Sequence, residues 1–128
     1  LLLENGAKVN QATLDGASPL FIASQEGRVD LARLVLEHGA NVHQAMDDGA
    51  SPLFITSVEG HIEIARLLLE HGADVSQATH EGHAPLFIAS QSGHHEIAQL
   101  LRDHDEEFTQ ILRDVGARVD SRSELTVA

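Results

Sequence analysis

All three prolines of this chain, Pro19, Pro52 and Pro85, stand 33 residues apart. Three columns of glycine keep the same step: Gly16, Gly49 and Gly82; Gly27, Gly60 and Gly93; Gly6, Gly39 and Gly72. Laid over one another, Asp15 to Asp47 and Asp48 to His80 agree at about two-thirds of positions. A step of this length marks a tandem array in which each unit buries its apolar side against the next. Within one unit, Ser18 is placed to cap a helix that opens with Pro19 and closes at Gly27. Val29, Leu31, Ala32, Leu34, Val35 and Leu36 then follow at helical spacing up to Gly39, which can adopt a positive φ. From Ala40 to Gly49 the composition turns polar, and Asp48-Gly49 reads as a tight turn closing an extended excursion.

Composition narrows the function. With 20 acidic residues against 8 Lys and Arg, the net charge is −12, which repels both phosphate backbones and anionic lipid. Nucleic acid and membrane are therefore not expected partners. Cysteine is absent, which removes a disulfide framework, a thiolate nucleophile and any cysteine-based metal site. It fits a reducing intracellular compartment, cytoplasm or nucleus. No apolar run approaches the length of a membrane span.

The residues resemble the ankyrin-repeat family. The family's pattern of Asp-Gly, Thr-Pro-Leu-His, Gly-His, a leucine run and Gly-Ala-Asp-Val-Asn is met by five segments of the central unit. These are Asp48-Gly49, Ser51-Pro52-Leu53-Phe54, Gly60-His61, Leu67-Leu68-Leu69 and Gly72-Ala73-Asp74-Val75-Ser76. The likeness runs from Leu1 to about Asp120 and implies an all-α solenoid of stacked helix-turn-helix units with β-hairpin-like loops. In this register residues 1–14 are a truncated first repeat, 15–47 and 48–80 are full repeats, 81–120 is a repeat with an insertion, and 121–128 is a tail expected to fray. Phe21, Phe54 and Phe87 replace the family's His and are expected to be buried. Near the hairpin tip, Thr13, Met46 and Thr79 replace the family's Asp, so the usual tip hydrogen bond is not implied by the resemblance. Leu1, Leu2 and Leu3 align with the end of a second helix and form an apolar end suited to self-association.

In the last unit the expected glycine at position 105 is displaced by 11 residues to Gly116-Ala117-Arg118-Val119. Eleven residues are about three helical turns, and Ile97, Leu100, Leu101, Phe108, Ile111, Leu112 and Val115 keep helical phase. The expectation is one helix from about Glu96 to Val115. The competing reading breaks it at Asp103-His104-Asp105, where Asp103 and Glu106 have the form of a capping box.

Nine histidines invite a metal site or a pH switch. His61 and His94 occupy the Gly-His column, and His38 and His71 the end of the second helix, where a structural role is expected. His80, Glu81 and His83 make a short His-x-x-His cluster in a turn, read first as a solvated tip. His95-Glu96-Ile97-Ala98-Gln99 lacks the second histidine of a zinc protease motif. Phosphate-binding glycine loops and nucleophile elbows are missing, and the repeated serines at 18, 24, 51, 57 and 90 sit in repeat columns. No catalytic residue, cofactor or metal is assigned, and an enzyme is not expected.

A surface remains. The resemblance implies that a partner is gripped by the hairpin tips and the exposed side of the first helices, a concave strip in the family. Carried over by position, the strip is Leu14, Asp15, Ala17, Gln25 and Glu26; Asp47, Asp48, Ala50, Val58 and Glu59; and His80, Glu81, His83, Gln91 and Ser92. It holds six carboxylates and no Lys or Arg, so the expected partner is a protein or peptide with a basic segment. Two alternatives are kept: a structural spacer or engineered scaffold without a ligand, and a metal- or pH-responsive assembly using His80, His83, His94 and His95.

Overall fold

A computed structural model describes the backbone of residues 6–119 and the side-chain surroundings of residues 8–105, 110, 111 and 113–115. Among the described residues seven helices follow one another: α1 (Gly6–Val9), α2 (Pro19–Glu26), α3 (Val29–Glu37), α4 (Pro52–Glu59), α5 (Ile62–Glu70), α6 (Pro85–Gln91) and α7 (His95–Val119). Among the described residues there is no strand, so the excursions between units are turns and extended backbone only. The first helices α2, α4 and α6 pack in one row, and the second helices α3, α5 and α7 in another. The core lies between the rows and repeats by column. Leu20 and Leu53 from the first helices are each 1% exposed. Val35, Leu68 and Leu101 from the second helices are 1%, 0% and 1% exposed.

Local sequence explains each helix end. Ser18 and Ser51 hold extended backbone, and each Oγ accepts from the N–H three residues on, Phe21 or Phe54, at 3.1 Å. Each cap is followed by proline at the first helical position, where the missing N–H costs nothing. Gly27 and Gly60 close α2 and α4 with φ of 73° and 88°. Ala84 opens α6 with the same extended backbone, φ −84° and ψ 160°, but no side-chain cap. Ala84→Ser therefore supplies the absent acceptor and should raise stability by about 0.5–1 kcal/mol in a urea titration. Ser51→Ala should lower it by about 1 kcal/mol.

Polar side chains inside the stack are satisfied locally. The hydroxyls of Ser24, Thr56 and Ser57 donate to the carbonyls of Leu20, Pro52 and Leu53 at 2.8, 2.8 and 2.9 Å. Ser90 stands in the same column as Ser24 and Ser57 yet is exposed, because among the described residues no further first helix follows α6. The phenylalanine column shows the same gradient. Phe21 is 4% exposed, Phe54 half-buried and Phe87 48% exposed, so the expectation that all three are buried holds only for the first. Among the described residues no first helix follows α6, and Phe87 stacks instead on His83, ring centres 5.0 Å apart.

The last helix is longer than its pattern implies. It runs unbroken from His95 to Val119, so the capping-box reading at Asp103 fails: Asp103 instead accepts from Gln99 Nε2 one turn back at 2.8 Å. Gly116, expected to close the unit, lies inside the helix. A glycine ends a helix only where the left-handed turn it permits is repaid by packing, and Ile111 and Val115 just before it are 59% and 45% exposed. Gly6 likewise lies within α1 rather than in the left-handed region of Gly39 and Gly72. The next turn is kept all the same: Gln11 N–H donates to Lys8 O at 3.3 Å, as Gln44 does to Asn41 O and Gln77 to Asp74 O at 3.1 Å. The expected association through Leu1, Leu2 and Leu3 and the fraying of 121–128 lie outside the described residues.

Candidate functional site

Backbone links set the tips in register. Asp47 N–H donates to Asp15 O at 3.0 Å, and His80 N–H donates to Asp48 O at 3.0 Å, the same bond one unit later. Within each tip the backbone closes from Thr13 N–H to Ala17 O, Met46 to Ala50 and Thr79 to His83, each at 3.0 Å. The N–H on the far side of the turn keeps a side-chain acceptor despite the departure from the family's Asp. Thr13 Oγ1 accepts from Ala17 at 3.1 Å and Thr79 Oγ1 from His83 at 3.3 Å. Met46 cannot accept, and Asp48 Oδ1 takes its place by accepting from Ala50 at 3.0 Å.

On this frame most of the strip faces solvent. Asp15, Gln25, Glu26, Asp47, Asp48, Glu59, His80, Glu81, Gln91 and Ser92 are exposed, and Leu14 is fully so. Ala17, Val58 and His83 are half-buried. Ala50 is a correction: it is only 5% exposed, folded beneath its own tip by the bond to Asp48, and offers a partner no surface. Among the described residues the one acid–base side-chain contact is His83 Nδ1 with Glu81 Oε1 at 3.8 Å, and no strip carboxylate has a Lys or Arg at contact distance.

Four strip residues converge. Asp48, His80, Glu81 and His83 line a hollow of about 360 Å³ together with Thr79 and the half-buried Phe54. Sequence reasoning placed Phe54 in the core and missed it as part of this surface. The signal was available only in the tip register, which carries His80 and Glu81 beside α4. An aromatic ring flanked by exposed carboxylates suits a cationic side chain, which gains from the ring face and the negative charge together.

Four of the nine histidines are committed elsewhere. His61 Nε2 and His94 Nε2 lie 3.2 and 3.0 Å from the carbonyls of Gln25 and Val58, each in the first helix of the preceding unit. Their rings fill the space above Gly27 and Gly60. His38 and His71 Nδ1 lie 2.9 and 3.0 Å from the carbonyls of Leu34 and Leu67, at the ends of their own helices. Among the described residues no group of three His, Cys, Asp or Glu could hold a metal ion, and no helix is long and apolar enough to cross a membrane.

Comparison with known proteins agrees with this architecture. The family described as ankyrin repeats (3 copies) matches residues 42–112, and the one described as ankyrin repeat matches residues 15–47. No curated protein matches the chain. With paired helices stepped by 33 residues and a family match across more than half of its length, the chain belongs to the ankyrin-repeat family.

Proposed function

We propose that this chain is a non-enzymatic binding module whose acidic strip of tips and first helices holds a protein partner through a basic segment. Ankyrin repeats are generally protein–protein interaction modules and the family is typically non-enzymatic, which supports the coarse part of this reading. The observation that carries the finer part is the hollow over Phe54 rimmed by Asp48 and Glu81. A Lys or Arg of the partner enters it, while Asp15, Asp47 and Glu59 steer the approach. The frame beneath needs little rearrangement, because main-chain links already fix the tips, so binding forfeits little ordering entropy.

The test is a crosslinking pull-down from native extract comparing the wild type with a variant carrying Asp15→Lys, Asp47→Lys, Glu59→Lys and Glu81→Lys. Asp48 is left alone, since it holds the central tip closed. A partner retained by the wild type should be lost by the variant. Its wild-type retention should also weaken roughly tenfold or more as salt rises from low to physiological strength, as screening predicts for exposed charges. An unchanged captured set removes the acidic strip as the site. Retention of nothing specific by either chain favours a spacer.

A further inference from the structure

We propose that the groove beside Gly72–Ser76 is a docking surface for this chain's own residues 105–110, which leave α7 and fold over it as a loop. The groove encloses about 490 Å³ and is lined by Gly72, Ala73, Asp74, Val75, Ser76, His104 and Asp105. At the two preceding junctions the equivalent loop is covered by the loop of the next unit. Asn10 Oδ1 accepts from Asn41 N–H at 2.8 Å, Gln44 Nε2 donates to Asn10 O at 2.9 Å, and Gln77 Nε2 donates to His43 O at 2.9 Å. Val9 and Val42, beneath those covers, are 1% and 8% exposed, whereas Val75 in the uncovered loop is only half-buried.

The residues that would cover it are present in register. Counting on by 33, Val75-Ser76-Gln77 falls on Phe108-Thr109-Gln110, an apolar residue, a hydroxyl and the same glutamine. What differs is the hinge: Gly39 and Gly72 turn the chain at φ 91° and 87°, and Asp105 stands in their column. Aspartate is among the few residues besides glycine and asparagine that visit that region, so the turn is disfavoured but open. His104 shows the incomplete state. Its equivalents His38 and His71 place Nδ1 on a carbonyl four residues back, while His104 Nδ1 is buried without a partner among the described residues. Ending the helix at His104 would free the Leu100 carbonyl to receive it. Gln110 belongs to both states: within the helix its Nε2 donates to Asp114 Oδ1 at 2.9 Å and its Oε1 accepts from Arg113 Nη1 at 2.9 Å. Docking exchanges these exposed bonds for the carbonyl of Ser76.

The chain has no cysteine, so paired spin labels can be placed on introduced ones without interference. Labels at Glu96→Cys and Ile111→Cys lie about 22 Å apart along a continuous helix. Labels at Glu63→Cys and Ala78→Cys, the same positions one unit earlier, report the distance for a folded-over loop. The wild type should show the helical distance and a minority population at the reference distance. Asp105→Gly should raise the ratio of docked to helical chains roughly tenfold, the usual gain from removing a side chain at a left-handed turn. Adding Gln110→Ala should reverse most of that rise. The proposal is overturned by a purely helical distance in both wild type and Asp105→Gly, or by a second distance indifferent to Gln110→Ala, which is simple fraying. It is equally overturned if dilution with unlabelled chain alters the pair distance, which would place the loop on a second copy.

Discussion

Truncating Leu68 to alanine lowers the stability of this chain by about 3 kcal/mol, within the range usual for a buried leucine. Leu68 is fully buried in α5, the second helix of the central unit. That helix packs on α4 of its own unit and on α3 and α7 of the units on either side. A wall built from three other elements cannot collapse into the space a leucine leaves, so the cavity term adds to the lost transfer energy. Against the ~5–15 kcal/mol typical of a whole domain this is a large share. Urea unfolding should show an earlier midpoint with an unchanged slope, since the surface exposed on unfolding is the same. Leu34→Ala is the comparison: Leu34 is 36% exposed, and its loss should cost no more than about 1 kcal/mol. Equal costs at the two positions would mean that the rows are not packed as described.

Gly60→Ala should cost about 3 kcal/mol, and Gly72→Ala about half of that. Both glycines sit at nearly the same φ, 88° and 87°, so both alanines incur the ~1–2 kcal/mol of a left-handed L-residue. Only Gly60 is crowded. A methyl there would lie 2.6 Å from Cε1 of His94, whereas nothing stands within 4 Å of the same atom at Gly72. The imidazole cannot swing aside without leaving the Val58 carbonyl, which adds about 1 kcal/mol for the hydrogen bond and its half-buried acceptor. Pairing Gly60→Ala with His94→Ala separates the contributions: the double variant should cost less than the two single variants summed. Strict additivity would show that the ring does not press on the glycine.

Much of this architecture was legible one unit at a time. Ser18 before Pro19, and Ser51 before Pro52, fix where first helices start, and Gly27 and Gly60 fix where they stop; these are local matters of hydrogen bonding and φ. His61 and His94 were legible as a structural column, but not their acceptors, which lie on main chain 36 residues upstream. Features that depend on what comes next along the stack were not readable from a single unit. Phe87 has the same neighbours in sequence as Phe21 and Phe54, yet it is exposed because, among the described residues, no further first helix follows α6 in its row. Gly116 looks like a stop signal, but a stop works only if the chain has something to turn onto. On the candidate surface, the strip and its carboxylates came from carrying the family resemblance over by position. The meeting of Phe54 with Asp48, His80 and Glu81 did not, since it arises from tips and helices brought together by stacking. Ala50 erred in the opposite sense: its place beside a tip suggested solvent, and a two-residue bond to Asp48 tucks it in.

The joints from one tip to the next, Asp47 to Asp15 and His80 to Asp48, are made of main-chain atoms alone. A main-chain joint is blind to the letter above it. Leu14, Asp15, Asp47, His80 and Glu81 can therefore be rewritten with little effect on the melting temperature, whereas Asp48 cannot, because its carboxylate closes the central turn. The array thus separates two kinds of heritable information: columns that keep units together, and a short exposed text that can drift or be selected without loosening them.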